Sequence, residues 1–188
     1  MVEVMLESIQ SRGYAGTGIN TVLEQSGVPK GSMYFHFPEG KEQLAERAIG
    51  RASEEFRALI AETTVNEPSP GRVIARVLEV LADLLVDGDY ELGCPVSVVT
   101  LEMGAHSDRL RTACALAYES WIAPVADYLA GAGLAQRRAR ELAETVVSTV
   151  EGAMIVSRAM RDAQPMRSAA RVLATLLDEV TGASGTRA

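Results

Sequence analysis

A short segment near the N-terminus concentrates side chains that could bind phosphates or base edges. Pro29-Lys30-Gly31-Ser32 is followed by two hydrogen-bonding aromatic residues, Tyr34 and His36, and then by Lys41. Cations and small polar groups at a helix start suit contacts with a nucleic-acid backbone, and the ring side chains can add hydrogen bonds. The segment therefore points to nucleic-acid binding.

Catalytic, metal and cofactor chemistry are not indicated. The two histidines, His36 and His106, are far apart in the sequence, and there is no G-x-S-x-G or H-E-x-x-H element and no glycine-rich phosphate loop. Cys94 and Cys114 lack metal-ligand spacing and are expected to be reduced core residues of a cytosolic protein. The sequence contains no uninterrupted run of about 18 apolar residues, which is the length that a membrane-spanning helix needs. A cytoplasmic, non-enzymatic protein without a cofactor is therefore predicted.

The composition favours a helical globular chain. Of the 188 residues, 47% are apolar and 23% are charged, which excludes a wholly disordered chain. Aromatic residues make up only 5%, and Ala, Leu, Glu and Arg recur, a mixture that favours helices over strands. Because the formal net charge is −7, any nucleic-acid contact must be confined to a local patch.

Apolar residues recur at helical spacing along nearly the whole chain, and glycines and prolines separate the segments. About nine helices and no strand are predicted, and Thr17 is the expected cap of the second helix. The predicted helices are Met1–Ser11, Gly18–Ser26, Pro29–Phe35, Lys41–Glu62, Arg72–Val86, Pro95–Met103, Leu110–Leu129, Arg137–Met160 and Pro165–Val180.

The first three predicted helices are short, are joined by glycine turns and precede a long helix. This order is typical of a helix-turn-helix unit with a connector, in which the second helix of the motif enters the major groove of DNA. The third helix is therefore the predicted recognition helix, and the expected fold class is all-α.

The motifs in this region resemble those of the TetR family of bacterial transcriptional regulators. The matching runs are Gly13-Tyr14, Thr17-Gly18-Ile19, Ser26 to Pro38, and Lys41-Glu42. The spacing of Pro38-Glu39-Gly40-Lys41 and the run Gly93-Cys94-Pro95-Val96 look like the LmrA/YxaF-type subgroup. The resemblance implies a DNA-binding domain over residues 1–45 and a helical effector-binding and dimerisation domain over residues 46–188. It also implies a homodimeric repressor that binds a palindromic operator in double-stranded DNA.

Individual site residues follow from the same resemblance. Thr17 is similar to the backbone-contacting cap of the family's second helix, and Lys30, Gly31 and Ser32 match the start of its recognition helix. Tyr34 and His36 match its aromatic phosphate contacts, although both could instead only close the small core. Lys41 matches the lysine that opens the fourth helix. The residues expected mainly to pack are Ile19, Val22, Val28, Phe35 and Phe37, of which Phe35 could also face DNA.

One feature departs from the family pattern. Family members usually carry a basic arm and a further helical turn ahead of the position of Met1, so the first helix is shortened relative to that pattern. Residues 1–50 hold four basic and six acidic side chains, a balance of −2. Either residues that precede Met1 are missing from this sequence, or the protein makes fewer phosphate contacts, which would weaken DNA binding. The alternative function is therefore a helical small-molecule-binding or interaction module that has lost DNA binding.

The C-terminal part carries candidate contacts for a small hydrophobic effector. Tyr118 and Trp121 are about one helical turn apart, and Met103 and Met154 on neighbouring helices could adapt to a drug-like ligand. All four could equally be ordinary core residues. Two glutamates interrupt apolar stretches, Glu102 and Glu151. Each is expected either to face a cation of the protein or of a ligand, or to lie on a half-exposed helix face.

The last two predicted helices carry apolar surfaces wider than one buried stripe. Such a surface would leave a patch exposed in a monomer, which favours a two-fold four-helix interface between two copies. The alternative is that both helices pack only within their own domain. The predicted interface residues are Val147, Val150, Met154, Val172, Leu173, Leu176 and Leu177.

Overall fold

The computed structural model describes residues 1–182, and over this range the chain forms nine α-helices and no strand, which confirms the predicted all-α fold. The predicted helix ends differ from the observed ones by at most two residues. The helices are α1 (Val2–Arg12), α2 (Ile19–Ser26), α3 (Lys30–His36), α4 (Lys41–Thr64), α5 (Pro70–Asp87), α6 (Pro95–Met103), α7 (Asp108–Gly131), α8 (Gln136–Met160) and α9 (Gln164–Thr181).

The turn between α1 and α2 depends on a glycine and a threonine. Gly13 ends α1 with φ of 79°, a backbone conformation that residues with a Cβ rarely adopt. The N-cap of α2 is Gly18, so the prediction that Thr17 caps this helix is wrong. The Thr17 hydroxyl instead donates to the carbonyl of Gly13 at 2.6 Å and is buried inside the turn.

The chain divides into two compact units. Unit 1 comprises Met1–Glu55 and Leu92–Tyr118, so α6 and the start of α7 group with the N-terminal helices. The amide of Gly93 donates to the carbonyl of Gln10 at 3.1 Å, which ties the segment before α6 to α1. Nearly inaccessible side chains fill the unit's core, namely Met5, Ile9, Val22, Met33, Leu44, Ile49, Val96, Val99 and Leu110.

Unit 2 comprises Phe56–Glu91 and Glu119–Ala188. Residues 183–188, which end the predicted second domain, lie outside the described range. Its core is formed by α5, α8 and α9 with Leu129 of α7. Asp178 of α9 accepts hydrogen bonds from the Ser69 hydroxyl at 2.9 Å and the Gly71 amide at 2.8 Å at the start of α5. A Cβ on Gly71 would lie 2.5 Å from the carbonyl of Ala174, so this close packing requires glycine.

Candidate functional site

Helix α3 presents most of its side chains to solvent. Met33 is fully buried and anchors the helix, whereas Lys30, Gly31 and Tyr34 are exposed. Because an α-helix turns once every 3.6 residues, these three exposed positions lie on the same side of α3. That side offers a cation, a bare backbone and a phenolic hydroxyl, which suits contact with the edge of a DNA groove.

Gly31 leaves the backbone of α3 bare on its exposed side, and no packing within the protein requires glycine there. A Cβ built at this position meets no other atom within 4 Å, and its backbone is ordinary helix. A glycine inside a helix lowers stability by about 1 kcal/mol relative to alanine. The bare backbone at Gly31 would allow a partner such as DNA to approach α3 closely.

Both aromatic residues at the end of α3 are exposed. Phe35 exposes 80% of its surface, so of the two expectations for it packing is wrong and an outward-facing ring is observed. The physical reason is that Phe35 lies on the opposite side of α3 from the buried Met33. The ring of Phe35 meets the ring of His36 edge to face at 5.1 Å. His36 is also exposed and lies along a shallow groove with Phe37, Gln43 and Arg47, so neither His36 nor Tyr34 closes the core.

Three of the remaining predicted DNA contacts are less exposed than Lys30, namely Ser32, Thr17 and Lys41. Ser32 is half-buried, and Thr17 exposes only 2% of its surface, so its hydroxyl serves the turn rather than the protein surface. The Lys41 ammonium donates to the carbonyl of Tyr14 at 2.6 Å and lies 3.9 Å from the centre of the Tyr14 ring. Lys41 thus fixes the start of α4 to the α1–α2 turn, and burial lowers its pKa although Glu102 opposes the shift.

Glu102 of α6, which lies much later in the chain, also contacts the turn between α1 and α2. Its Oε2 accepts a hydrogen bond from the amide of Ala15 at 2.7 Å. A Cβ on Gly13 would lie 2.1 Å from Glu102 Oε1, so the carboxylate needs glycine there as well as the positive φ. Glu102 is half-buried, as expected for a half-exposed helix face, and its charge also acts on a cation of the protein, Lys41.

Acidic side chains in unit 1 are partly neutralised by the start of α7. Arg109 forms ion pairs with Glu39 and, at 3.6 Å, with Glu46. The Ser107 hydroxyl donates to Glu42 at 3.0 Å. The unfavourable charge balance of residues 1–50 is thus reduced by residues that lie more than 50 positions later in the chain.

Unit 2 contains a small apolar cavity lined by α4, α5, α7, α8 and α9. Its volume is about 50 Å³, which accommodates only a few water molecules. The lining includes three aromatic residues, Phe56, Trp121 and Tyr128. The rings of Phe56 and Trp121 meet edge to face at 4.8 Å. Burial raises the pKa of Tyr128, so its hydroxyl stays protonated and donates to the carbonyl of Glu67.

Glu151 brings a carboxylate to this apolar lining. Among the described residues that line the cavity, it is the only charged one, and its Oε2 atom is buried. The sequence alternatives for Glu151 were a cation partner or a half-exposed helix face. The residue is half-buried, which agrees with a half-exposed helix face, and its Oε2 atom is shielded from solvent.

The predicted effector contacts are divided between the two units. Trp121 lines the cavity, whereas Met154 packs half-buried against the core of unit 2 without lining it. Met103 and Tyr118 belong to unit 1. Sequence reasoning missed Phe56 and Tyr128, which no local signal distinguishes from ordinary core residues.

Most predicted interface residues are buried within their own unit. Val147 and Val150 of α8 and Leu173 and Leu177 of α9 expose less than a tenth of their surface, because α8 and α9 also supply the core facing α5. Met154 and Leu176 are half-buried. Val172 alone of this set is widely exposed, at 68%.

Metal sites, disulfides and membrane-spanning helices are considered only for the part of the chain that the structure describes. No group of three or more His, Cys, Asp or Glu side chains could hold a metal ion there. Within the described residues neither Cys94 nor Cys114 forms a disulfide, and Cys114 is buried as expected whereas Cys94 is only half-buried. Over the same residues, none of the helices is both long and apolar enough to cross a membrane.

Comparisons with known proteins agree with this arrangement. Residues 2–48 match the family described as bacterial regulatory proteins, tetR family, and residues 70–172 match the C-terminal domain of LmrA/YxaF-like transcriptional regulators. The chain is 35% identical over 159 residues to the HTH-type transcriptional regulator LmrA of Bacillus subtilis (strain 168), covering 84% of each chain. It is 32% identical over 157 residues to YxaF of the same strain, covering 84% of this chain and 82% of that one.

A solved structure shows the same fold. The crystal structure of regulatory protein TetR from Rhodobacter sphaeroides superposes with a TM-score of 0.83, covering 93% of this chain and 95% of that chain at 23% identity. The exposed α3 of a helix-turn-helix unit, the helical second unit and these matches lead to one conclusion. The chain belongs to the TetR family of bacterial transcriptional regulators, which bind DNA, and its C-terminal domain is of the LmrA/YxaF-like type.

Proposed function

We propose that this chain is a ligand-responsive repressor. In this proposal a homodimer binds a palindromic operator in double-stranded DNA through α3 of each copy, and a small hydrophobic effector in the unit 2 cavity releases it. Such a regulator acts in the cytoplasm, where the DNA is. Membership of a family of transcriptional regulators agrees with the sequence prediction of a binding protein rather than an enzyme.

The observation that carries this proposal is the extent of α4. The helix begins at Lys41, five residues after the end of α3, and its first residue is bonded to the α1–α2 turn. Its last turns contribute Phe56, Ile60 and Thr64 to the lining of the cavity. A single continuous helix therefore carries both a contact to the DNA-binding motif and part of the effector site.

The size of the cavity explains why a ligand would act on α4. Pockets that hold drug-sized ligands usually have volumes of about 300–1,000 Å³, whereas this cavity has about 50 Å³. An effector must therefore displace lining side chains such as Phe56 and Ile60. It would bind an expanded conformation better than the present one and shift the population towards it. The separation of the two α3 helices in the dimer would then no longer match the operator.

The dimer is proposed to form through exposed apolar residues of α8 and α9. Ile155, Val156 and Met160 of α8 expose between 46% and 63% of their surface, and Val172 of α9 exposes 68%. Gly152 lies one turn before Ile155 and Val156, and a Cβ there would meet nothing within 4 Å. A small residue beside exposed apolar ones permits close approach of a second helix, and a two-fold pairing suits a palindromic site.

The alternative of a module that has lost DNA binding has less support. Residues 2–48 match the family's DNA-binding domain, and the outward face of α3 retains Lys30, Gly31 and Tyr34. Arg109 also offsets two of the acidic side chains that motivated the alternative.

A selection from random duplex DNA tests the proposal. We expect enrichment of a palindrome whose half-sites are separated by about one duplex turn, roughly 34–36 Å, or a related spacing. The selection is repeated with Lys30→Ala, and with Arg76→Ala on the exposed face of α5 as a matched loss of charge. Absence of any enriched sequence with the unaltered protein at low salt would contradict the proposal.

A further inference from the structure

We propose that Phe35 of α3 selects thymine in the operator by packing its ring against the 5-methyl group of that base. The inference rests on the proposed function, because it takes α3 as the helix that enters the major groove of DNA. It goes further by assigning one kind of base in each half-site to one side chain of the protein.

The first observation is the exposure of Phe35. The residue exposes 80% of its surface, the largest fraction among the exposed large apolar residues that the structure describes. Single exposed apolar residues are common on protein surfaces, so this exposure gains its meaning from the position of Phe35 in the chain. Helix α3 lies within residues 2–48, which match the tetR family of bacterial regulatory proteins, so DNA is the partner expected to cover the ring.

The second observation is that Phe35 and Gly31 together form the side of α3 farthest from the core. The two residues are four positions apart and therefore lie about one turn apart on the same face. Each is two positions from the fully buried Met33, which places both on the opposite side of the helix. A helix seated in the major groove turns the side opposite its core contact towards the base edges.

The third observation is an open space beside the ring. Side chains of a helix lean towards its N-terminus, so Phe35 leans towards the turn that contains Gly31. A Cβ built on Gly31 meets no atom within 4 Å, which shows that the ring does not close this space. The ring instead meets that of His36 edge to face, with centroids 5.1 Å apart. A bare backbone flanked by an apolar ring can accept a group as small as a methyl.

The major groove displays one apolar group that fits such a space. Thymine presents its 5-methyl group there, whereas the other bases present hydrogen-bond donors and acceptors. A phenyl ring forms no conventional hydrogen bond, so packing it against a polar base edge would remove water without replacing the lost hydrogen bonds. Phenylalanine is also one of the side chains that contact the thymine methyl group in protein–DNA complexes. The ring of Phe35 therefore favours a T·A pair.

Replacing thymine by uracil tests this contact, because uracil lacks only the 5-methyl group and pairs with adenine in the same way. In the operator obtained by selection, each symmetry-related pair of thymines is replaced in turn. Fluorescence anisotropy gives the affinity of the full chain for each duplex. We expect the unaltered protein to lose about 15-fold in affinity at one symmetric pair. This loss corresponds to about fourfold per half-site, the effect of removing one buried methyl-sized group from each.

Two variants assign the effect to Phe35. Phe35→Ala removes the ring and should bind the thymine and uracil operators equally at the sensitive pair. Its fold should be retained because the ring is already in water, and circular dichroism checks this. Tyr34→Phe removes only a hydroxyl from the neighbouring exposed ring. This matched control should keep the full preference for thymine, even where its overall affinity for the operator is lower.

The proposal is overturned if the operator contains no thymine pair that is sensitive to loss of the methyl group, an outcome that needs no variant. It is also overturned if Phe35→Ala keeps the full preference for thymine, since another side chain would then contact the methyl group. Either result would leave operator binding itself intact. If the selection enriches no sequence at all, the proposed function fails together with this inference, so the two failures are distinguishable.

Discussion

The outward face of α3 and the wall of the unit 2 cavity use their side chains in opposite ways. On α3, Lys30, Gly31 and Phe35 are exposed, and the fold does not depend on them. In the cavity wall, Trp121 and Val150 are buried and belong to the packed interior as well as to the candidate binding site. Changes on α3 should therefore alter DNA binding alone, whereas changes in the cavity wall should alter stability and ligand binding together.

The largest expected effect is on stability in the cavity wall. Trp121→Ala should lower the free energy of unfolding by about 3–5 kcal/mol, because it empties a large buried site. Phe35→Ala on α3 should change it by no more than about 0.5 kcal/mol, since that ring is already in water. Urea unfolding followed by circular dichroism at a fixed chain concentration measures both. Equal losses in the two variants would break the distinction between the regions.

The next effect concerns association. Ile155→Glu should weaken the dimer by about 3 kcal/mol, a factor of more than 100, because a charge would be buried in an apolar interface. Leu84→Glu, on an α5 residue that is 60% exposed, should leave the dimer intact. Sedimentation at micromolar concentration distinguishes dimer from monomer. A monomeric unaltered protein, or equal behaviour of the two variants, would refute an interface on α8.

A smaller effect is expected for Lys30→Ala. If Lys30 binds a base, discrimination at one operator position should fall by about 1–3 kcal/mol. If it binds a phosphate, affinity should fall evenly across sequences. The slope of the logarithm of affinity against the logarithm of salt concentration should also become less steep by about one. Arg76→Ala in unit 2 serves as the control in titrations at several salt concentrations. Unchanged affinity, discrimination and slope would mean that α3 is not the recognition helix.

A further effect concerns the pH dependence of stability. Burial, and to a lesser extent the nearby carboxylate of Glu42, raise the pKa of Tyr14 from 10.0 to about 12. The folded protein therefore holds the phenolic proton more tightly than the unfolded chain. This stabilisation is complete below the unfolded pKa and is lost as the pH rises towards the folded pKa.

Tyr14→Phe removes this contribution. Between about pH 10 and pH 12, the free energy of unfolding should fall less steeply for Tyr14→Phe than for the unaltered protein. Tyr34→Phe, on a ring that is 47% exposed, is the matched control. Identical slopes for Tyr14→Phe and the unaltered protein would show that the Tyr14 proton does not contribute to stability.

Local sequence signals predicted the helices well because each helix is defined by spacing and by the breakers that flank it. They failed where the outcome depends on distant residues. Glu102 and Ala15 are 87 positions apart, so their hydrogen bond, and the grouping of α6 with the N-terminal helices, leave no trace in helical periodicity.

The cavity shows the same division between local and distant information. Tyr118 and Trp121 share one face of α7, but this helix passes from unit 1 to unit 2 between them, and only Trp121 lines the cavity. Phe35 was read as mainly a packing residue because aromatic side chains usually pack, but it lies on the opposite side of α3 from the buried Met33. Glu151 was recognisable because a charge in an apolar stretch requires a physical explanation.

The central claim is that the open side of α3 binds DNA, and Gly31→Leu tests it most directly. A Cβ at position 31 meets nothing within 4 Å, and leucine improves helix propensity, so the fold should be retained. Gly131→Leu, at the last residue of α7, adds the same side chain at another open position. Fluorescence anisotropy of the selected operator gives the affinities. Gly31→Leu should reduce operator affinity at least about tenfold with no loss of thermal stability, while Gly131→Leu should leave it unchanged. Operator affinity that survives Gly31→Leu would contradict the account.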